Sequence, residues 1–257
     1  MAGSPAEERI RAKVVEALRR QLGASYRIIH ELVVEQGGCR LDVAAVSEDE
    51  LVVVEIKSEK DVLKRLAEQV RVSRKVAQKV WVAAAAKHLP AIQAMTESTL
   101  WYEVFGPMPM AHNYRRLAGP EHVRPVLRSE PNPAYFGDLN YCRILTEDDA
   151  GGLKLAPGIG YGERPARPQP GEMLKMLWAE ELRGFTRRFG AGASTTRDQS
   201  MLLAIEHATG REIRRAVCAA LRARSFPRAD PPIYAAGHEP VPSIAQPDLY
   251  RSGVVAA

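Results

Sequence analysis

Asp42, Glu55 and Lys57 are the residues whose types and spacing could do chemistry. The chain reads Arg40-Leu41-Asp42, then twelve residues, then Glu55-Ile56-Lys57. Alternate side chains of a strand share a face, so Glu55 and Lys57 point one way and Ile56 the other. The polar residues 47–50 (SEDE) read as a hairpin loop that brings Asp42 opposite that pair. Two carboxylates and one ammonium then meet at the end of a sheet. Carboxylate oxygens suit Mg²⁺, at about 2.0–2.1 Å, with positions left for phosphate oxygen and water. Such an ion polarises a phosphate and acidifies its bound water. A lysine beside it can orient that water or neutralise charge developing on the phosphoryl group. Phosphodiester hydrolysis is the expectation, with Asp42 and Glu55 as ligands of Mg²⁺, or of Mn²⁺ in its place. The bland alternative is a cross-strand surface salt bridge. Against it, a charged triplet within the apolar run LVVVEIK is costly to bury unless something satisfies it.

The neighbouring sequence supplies elements to hold these residues. Residues 7–21 set Ile10, Val14 and Leu18 at helical spacing, with charge on the other face. Residues 26–34, 40–46 and 51–57 read as three strands, with Gly37-Gly38 turning between the first two. A helix is expected over 61–78, with Val62, Leu66, Val70 and Ala77 along one side and Lys64, Arg71, Arg74 and Lys75 elsewhere. Residues 79–84 read as a fourth strand, 88–97 as a helix and 100–105 (LWYEVF) as a fifth strand. This order predicts an α/β fold, a mixed sheet with helices packed on it. Residues 1–112 form the expected domain, and 113–170, rich in proline and glycine, a linker with short ordered pieces. Residues 171–226 are expected to be a basic helical module built from 173–189, 199–208 and 211–224, and 227–257 a flexible tail.

The chain has 257 residues, a net charge of +5 and a pI near 9.2, which fit a polyanionic partner weakly. Residues 171–228 hold eleven Arg/Lys against six Asp/Glu, a local excess of +5 that equals the whole chain's. That unevenness resembles an electrostatic footprint. Arg71, Arg74, Lys75, Arg187 and Arg188 are the candidate nucleic-acid contacts, with Arg183, Arg211, Arg214 and Arg215 near the last two. A solvated basic face is the alternative. No run approaches the ~20 apolar residues of a membrane span, and MAGSPAEERIRAK lacks the apolar stretch of a signal peptide. A cytoplasmic protein that does not contact membrane is expected. Cys39, Cys142 and Cys218 are odd in number and outside CxxC spacing, so free structural thiols are expected.

The D…E-x-K pattern on a hairpin, followed by a basic helix, resembles the PD-(D/E)XK nuclease superfamily. Residues 55–84 (EIKSEKDVLKRLAEQVRVSRKVAQKVWVAA) look like a bacterial and phage branch that reads EIKS, then D, RL and Q. The resemblance covers roughly residues 7–106; LKMLWAEEL and ALRAR further on look like that branch's helical appendix. It implies a restriction-endonuclease-like fold, a Mg²⁺-dependent nuclease with DNA as the expected substrate, Asp42 and Glu55 as metal ligands and Lys57 as the catalytic lysine. It also implies Glu31 as an upstream acid and Gln69 as a residue lining the site. Glu16 is a rival for the role of Glu31, and Leu41 stands where the superfamily pattern has proline. A protein partner for the C-terminal region is a further expectation, and the oligomeric state is not legible. A non-catalytic nucleic-acid-binding or assembly protein on the same fold is the alternative function.

Other features read as structural. Asp61 and Arg65 can pair along a helix, or Ser58 and Asp61 can cap it beside the site. None of the six histidines has metal-ligand spacing. GIGYG (158–162) lacks the GK[ST] ending of a phosphate loop. Trp178, at helical spacing from Leu174 and Leu182, is expected in the core.

Overall fold

The computed structural model describes residues 4–34, 38–96, 137–156, 158–159 and 163–234. Helix α1 (Pro5–Leu22) is followed by strands β1 (Arg27–Val34), β2 (Cys39–Val46) and β3 (Leu51–Lys57). Helix α2 (Leu66–Val76) leads to β4 (Lys79–Ala84), and later come β5 (Arg143–Glu147) and β6 (Leu153–Leu155). Four helices close the described chain: α3 (Pro170–Leu174), α4 (Ala179–Thr186), α5 (Arg197–His207) and α6 (Gly210–Ala223). The strands form one six-stranded sheet in chain order. The β1–β2, β2–β3 and β5–β6 pairs are antiparallel; β3–β4 and β4–β5 are parallel. The fold is mixed α/β, as the sequence predicts, and no described helix is long and apolar enough to cross a membrane.

Helices cover both faces, which is why every residue of β3 is buried and why its run of valines need not alternate with polar residues. On one face Val52, Val54 and Ile56 pack with Ile10, Val14, Ala17 and Leu18 of α1. On the other, Leu51 and Val53 pack with Leu66, Val70 and Val76 of α2. Glu55 and Lys57 continue this second row. Ser4 caps α1 by accepting from the Glu7 N–H at 3.2 Å.

Several expected boundaries move. Asp61 does not begin a helix; its carboxylate accepts from the Ser58 N–H (2.7 Å) and hydroxyl (2.6 Å), turning the chain tightly after β3. A single 3₁₀ turn, Leu63–Arg65, then precedes α2. Residues 89–96 are helical. The expected strand at 100–105 lies outside the described residues. Among the described residues of 113–170 stand the 3₁₀ turn Gly137–Tyr141, β5 and β6. The block 173–189 divides at a turn, and Trp178 there is 39% exposed with Arg224 stacked 4.5 Å from its ring centre. Its place is the helix edge, because its indole packs on a guanidinium instead of the apolar interior.

The C-terminal helices join the same apolar cluster as α2: Met173, Leu174, Leu182, Ile213, Val217 and Leu221 lie with Val53, Val70 and Val80. Arg27 fastens their end to the sheet. Its buried guanidinium donates to the carbonyls of Leu221 (2.7 Å), Arg222 (2.9 Å), Arg224 (2.6 Å) and Asp230 (3.0 Å). The backbone after α6 then pairs with β1, the His30 N–H donating to the Arg228 carbonyl and the Asp230 N–H to that of Ile28, both at 2.9 Å. Residues 228–230 of the expected tail therefore lie along the sheet edge, and the Ile233 N–H returns to the Arg222 carbonyl at 2.8 Å. Sequence patterning could not show it, because one bridge and four main-chain acceptors require no side-chain periodicity.

Candidate active site

The two hairpin strands separate at the carboxylates. The β2–β3 ladder ends at Val43–Val54, and in place of the next rung the Asp42 Oδ2 accepts from the Ile56 N–H at 2.8 Å. Asp42 thus substitutes its side chain for a backbone acceptor and stays beside Glu55. The β1–β2 ladder likewise skips one position, between the His30–Val43 and Leu32–Leu41 pairs, where Glu31 would face Asp42. Glu31 has φ of 59°, a region costing a side-chain-bearing residue about 1–2 kcal/mol. The alternation of β1 changes phase there: Ile29 faces the α2 layer before it, Leu32 and Val34 after it. In β2, Leu41 on one side of Asp42 and Ala44 and Val46 on the other face that same layer. Both strands shift phase together.

Glu55 is fully buried under α2. Its Oε2 accepts from Gln69 Nε2 at 3.1 Å and its Oε1 from the Ser73 hydroxyl at 3.3 Å. The Gln69 Oε1 accepts from Lys57 Nζ at 2.8 Å. One amide therefore bridges the lysine and the glutamate, using both its polar atoms. Gln69 and Ser73, one turn apart on α2, share the face toward β3.

Burial, then the adjacent Asp42 carboxylate, pushes the Glu55 carboxyl up to about 8, against the pull of Lys57 and the Ser73 hydroxyl. Burial also raises Asp42, against the Ile56 N–H, Lys57 and Arg11. Two neighbouring acids whose charged forms are both disfavoured make a place that a cation would stabilise. Their hard oxygens suit Mg²⁺, which is commonly held by one or two carboxylates plus waters. Among the described residues no group of three or more His, Cys, Asp or Glu stands at metal-ligand spacing, so any such ion would draw its remaining ligands from water or substrate.

Of the residues the sequence singles out, the structure brings Asp42, Glu55, Lys57 and Gln69 together. Glu31 is placed one step away, bonded to Arg11 (3.2 Å) and Arg40 (2.9 Å). Glu16 is exposed on α1, clear of its buried face. Arg71, Arg74 and Lys75 leave α2 on sides other than that of Gln69 and Ser73: at about 100° per residue, two positions from Gln69 is roughly the opposite side. Arg187 and Arg188 lie in a 3₁₀ turn after α4, where Arg188 bonds Glu212 at 2.9 Å and covers the Phe189 ring at 4.5 Å.

The sequence reading missed Arg11, which is 1% exposed. Its guanidinium donates to the Asp42 carbonyl at 2.5 Å and pairs with Glu7, Glu8 and Glu31. Spacing could have found it, since Glu7, Arg11, Val14 and Leu18 lie along one helical line. Ser73, four residues after Gln69, was findable in the same way.

The molecule is thus a mixed α/β protein with an Asp–Glu–Lys–Gln cluster where two strands part, Glu55 and Lys57 buried and Asp42 and Gln69 half-buried. Residues 1–104 match the family described as Bacteriophage P4 protein cII, which is 104 of the 257 residues and includes the whole cluster. Among solved structures the chain is similar to the SPO1766 protein of unknown function from Silicibacter pomeroyi, at 14% identity and a TM-score of 0.35, over 75% of this chain and 99% of that one. No curated protein matches the chain.

Proposed function

We propose that the protein is a metal-dependent nuclease of the PD-(D/E)XK type, hydrolysing phosphodiester bonds, most naturally of DNA. One observation carries the reading: the buried Glu55 carboxyl and the half-buried Asp42 carboxyl, both of raised pKa, lie together with a lysine whose ammonium is held by Gln69. Asp42 and Glu55 would hold Mg²⁺. When bound, that ion supplies charge to the phosphate and lowers the pKa of an attacking water.

The chain's own residues position the rest. The Ile56 N–H holds the Asp42 Oδ2 and fixes that carboxylate beside Glu55. Gln69 and Ser73 orient the two Glu55 oxygens. Lys57 stands ready to hold the water or to offset charge gathering on the non-bridging phosphate oxygens. In the reaction, water oxygen forms a new P–O bond as the ester P–O bond breaks, and the leaving oxygen gains a proton. The products are a phosphate monoester and an alcohol.

The test is a panel of plasmid, linear duplex, single-stranded DNA and RNA, each incubated with Mg²⁺, Mn²⁺ or EDTA. Cleavage of at least one substrate that EDTA stops is the expected result. Binding of these substrates without cleavage under any condition would favour a non-catalytic nucleic-acid-binding protein.

A further inference from the structure

The three cations of α2 that turn away from Glu55 do not simply face solvent. Arg71, Arg74 and Lys75 line an open cavity of ≈ 250 Å³, bordered on the other side by Asp138, Arg167 and Gln169. Among the described residues its lining carries four cations and one carboxylate, with Arg71 paired to Glu68 and Arg74 to Asp138. The walls are fixed by contacts on both sides. Arg74 donates to Asp138 at 2.9 Å and lies 5.7 Å from the Tyr141 ring centre. Arg71 donates to Glu68 at 2.7 Å. The segment carrying Arg167 is pinned along the end of α2 by two backbone bonds, Ala166 N–H to the Gln78 carbonyl (2.7 Å) and Gln169 N–H to the Lys75 carbonyl (2.8 Å).

Cations in the last turn of a helix ordinarily complement its dipole, and that explains Arg74 and Lys75 alone. It does not explain why a proline-rich segment distant in sequence is fastened there to add a third element with an exposed arginine. Clustered, preorganised guanidinium and ammonium groups around a small polar space match the oxygens of a phosphate.

We propose that this cavity is a second anion site, which grips a backbone phosphate of the nucleic acid at a point separate from the Asp42–Glu55 pair. The proposal rests on the nuclease reading for its substrate class but uses none of its catalytic residues. Its contribution is affinity without base preference, because phosphate contacts carry no sequence information.

The test is fluorescence anisotropy of a labelled duplex oligonucleotide in EDTA, across a salt series, with the whole chain and with Lys75→Ala/Arg167→Ala and Arg167→Glu. The double variant should bind about tenfold more weakly, and its log–log salt slope should be shallower by roughly one per lost phosphate contact. Arg167→Glu, on an exposed residue, should weaken binding in the same direction with an unchanged melting temperature. Unaltered affinity and slope in both variants, or no binding by the wild-type chain, would overturn the proposal. Asp42→Ala, measured alongside, reports on catalysis through its Mg²⁺-dependent cleavage, so either idea can fail on its own.

Discussion

Glu55 shows most plainly what the site costs. Buried completely, its carboxyl keeps its proton up to about 8, whereas in the unfolded chain it titrates near the ordinary 4.5. Between those values the unfolded state has released a proton that the folded state retains, so this group lowers stability as pH rises from about 4.5 to about 8. Below that window it has no effect, and above it the loss is complete. His30, whose pKa burial lowers, acts with the opposite sign below its ordinary 6.5. A comparison of Glu55→Gln with wild type removes the histidine's contribution. In metal-free buffer the variant should melt higher than wild type at pH 8 and equal to it at pH 4; equal melting at both values would refute the raised pKa. Because a ligating carboxyl must lose its proton, Mn²⁺ affinity of the wild type should rise with pH below about 8. Calorimetry in buffers of different ionisation heat would detect the released proton.

At the scale of elements, the hairpin is held open by α1. Arg11 reaches from that helix to the Asp42 carbonyl and to Glu31 and Glu7. Replacing it by methionine leaves the Asp42 carbonyl and partly exposed acids without their donor, a loss of about 1–3 kcal/mol. Chemical denaturation should show that loss, with Arg11→Lys recovering part of it. The left-handed conformation of Glu31 gives a second check. Glu31→Gly should be more stable than Glu31→Ala by about 1 kcal/mol, since both lose the carboxylate and only glycine accepts that φ at no cost. A more stable alanine variant would mean that the backbone is unstrained there.

These elements also show what the sequence can and cannot reveal. The three strands of the hairpin region and β4 were legible because runs such as LVVVEIK are bounded by turn residues, and ExK places its charges by strand parity alone. Gln69 was legible through the family-like spacing and not through any local pattern, since a glutamine on a helix is ordinarily at the surface. The phase shift at Glu31 and Asp42 was hidden. A residue with positive φ leaves no mark when it is a glutamate, and Arg11 reads as one more charge on a charged helix until its position relative to Val14 and Leu18 is considered. The cavity beside α2 was hidden too, because its far wall comes from a segment nearly a hundred residues later whose backbone bonds have no sequence signature.

For the whole molecule, the C-terminal helices and the sheet share one apolar cluster, and Arg27 ties the end of α6 to β1. Sheet and helices should therefore unfold together, giving a single calorimetric transition. Arg27→Met would leave several buried carbonyls unsatisfied, each worth about 1–3 kcal/mol, and should lower the transition while keeping it single. Two separated transitions in the wild type would contradict a common core. The claim on which the functional account turns is that Asp42 and Glu55 act together with Lys57 on a phosphodiester. The most direct measurement compares Mg²⁺-dependent cleavage by the wild type and Asp42→Asn, prepared identically and matched in melting temperature. Cleavage by the first and a loss of about a thousandfold in the second are expected, a scale usual when a catalytic group is removed. Equal rates would show that the cluster between the parted strands is not where the bond is broken.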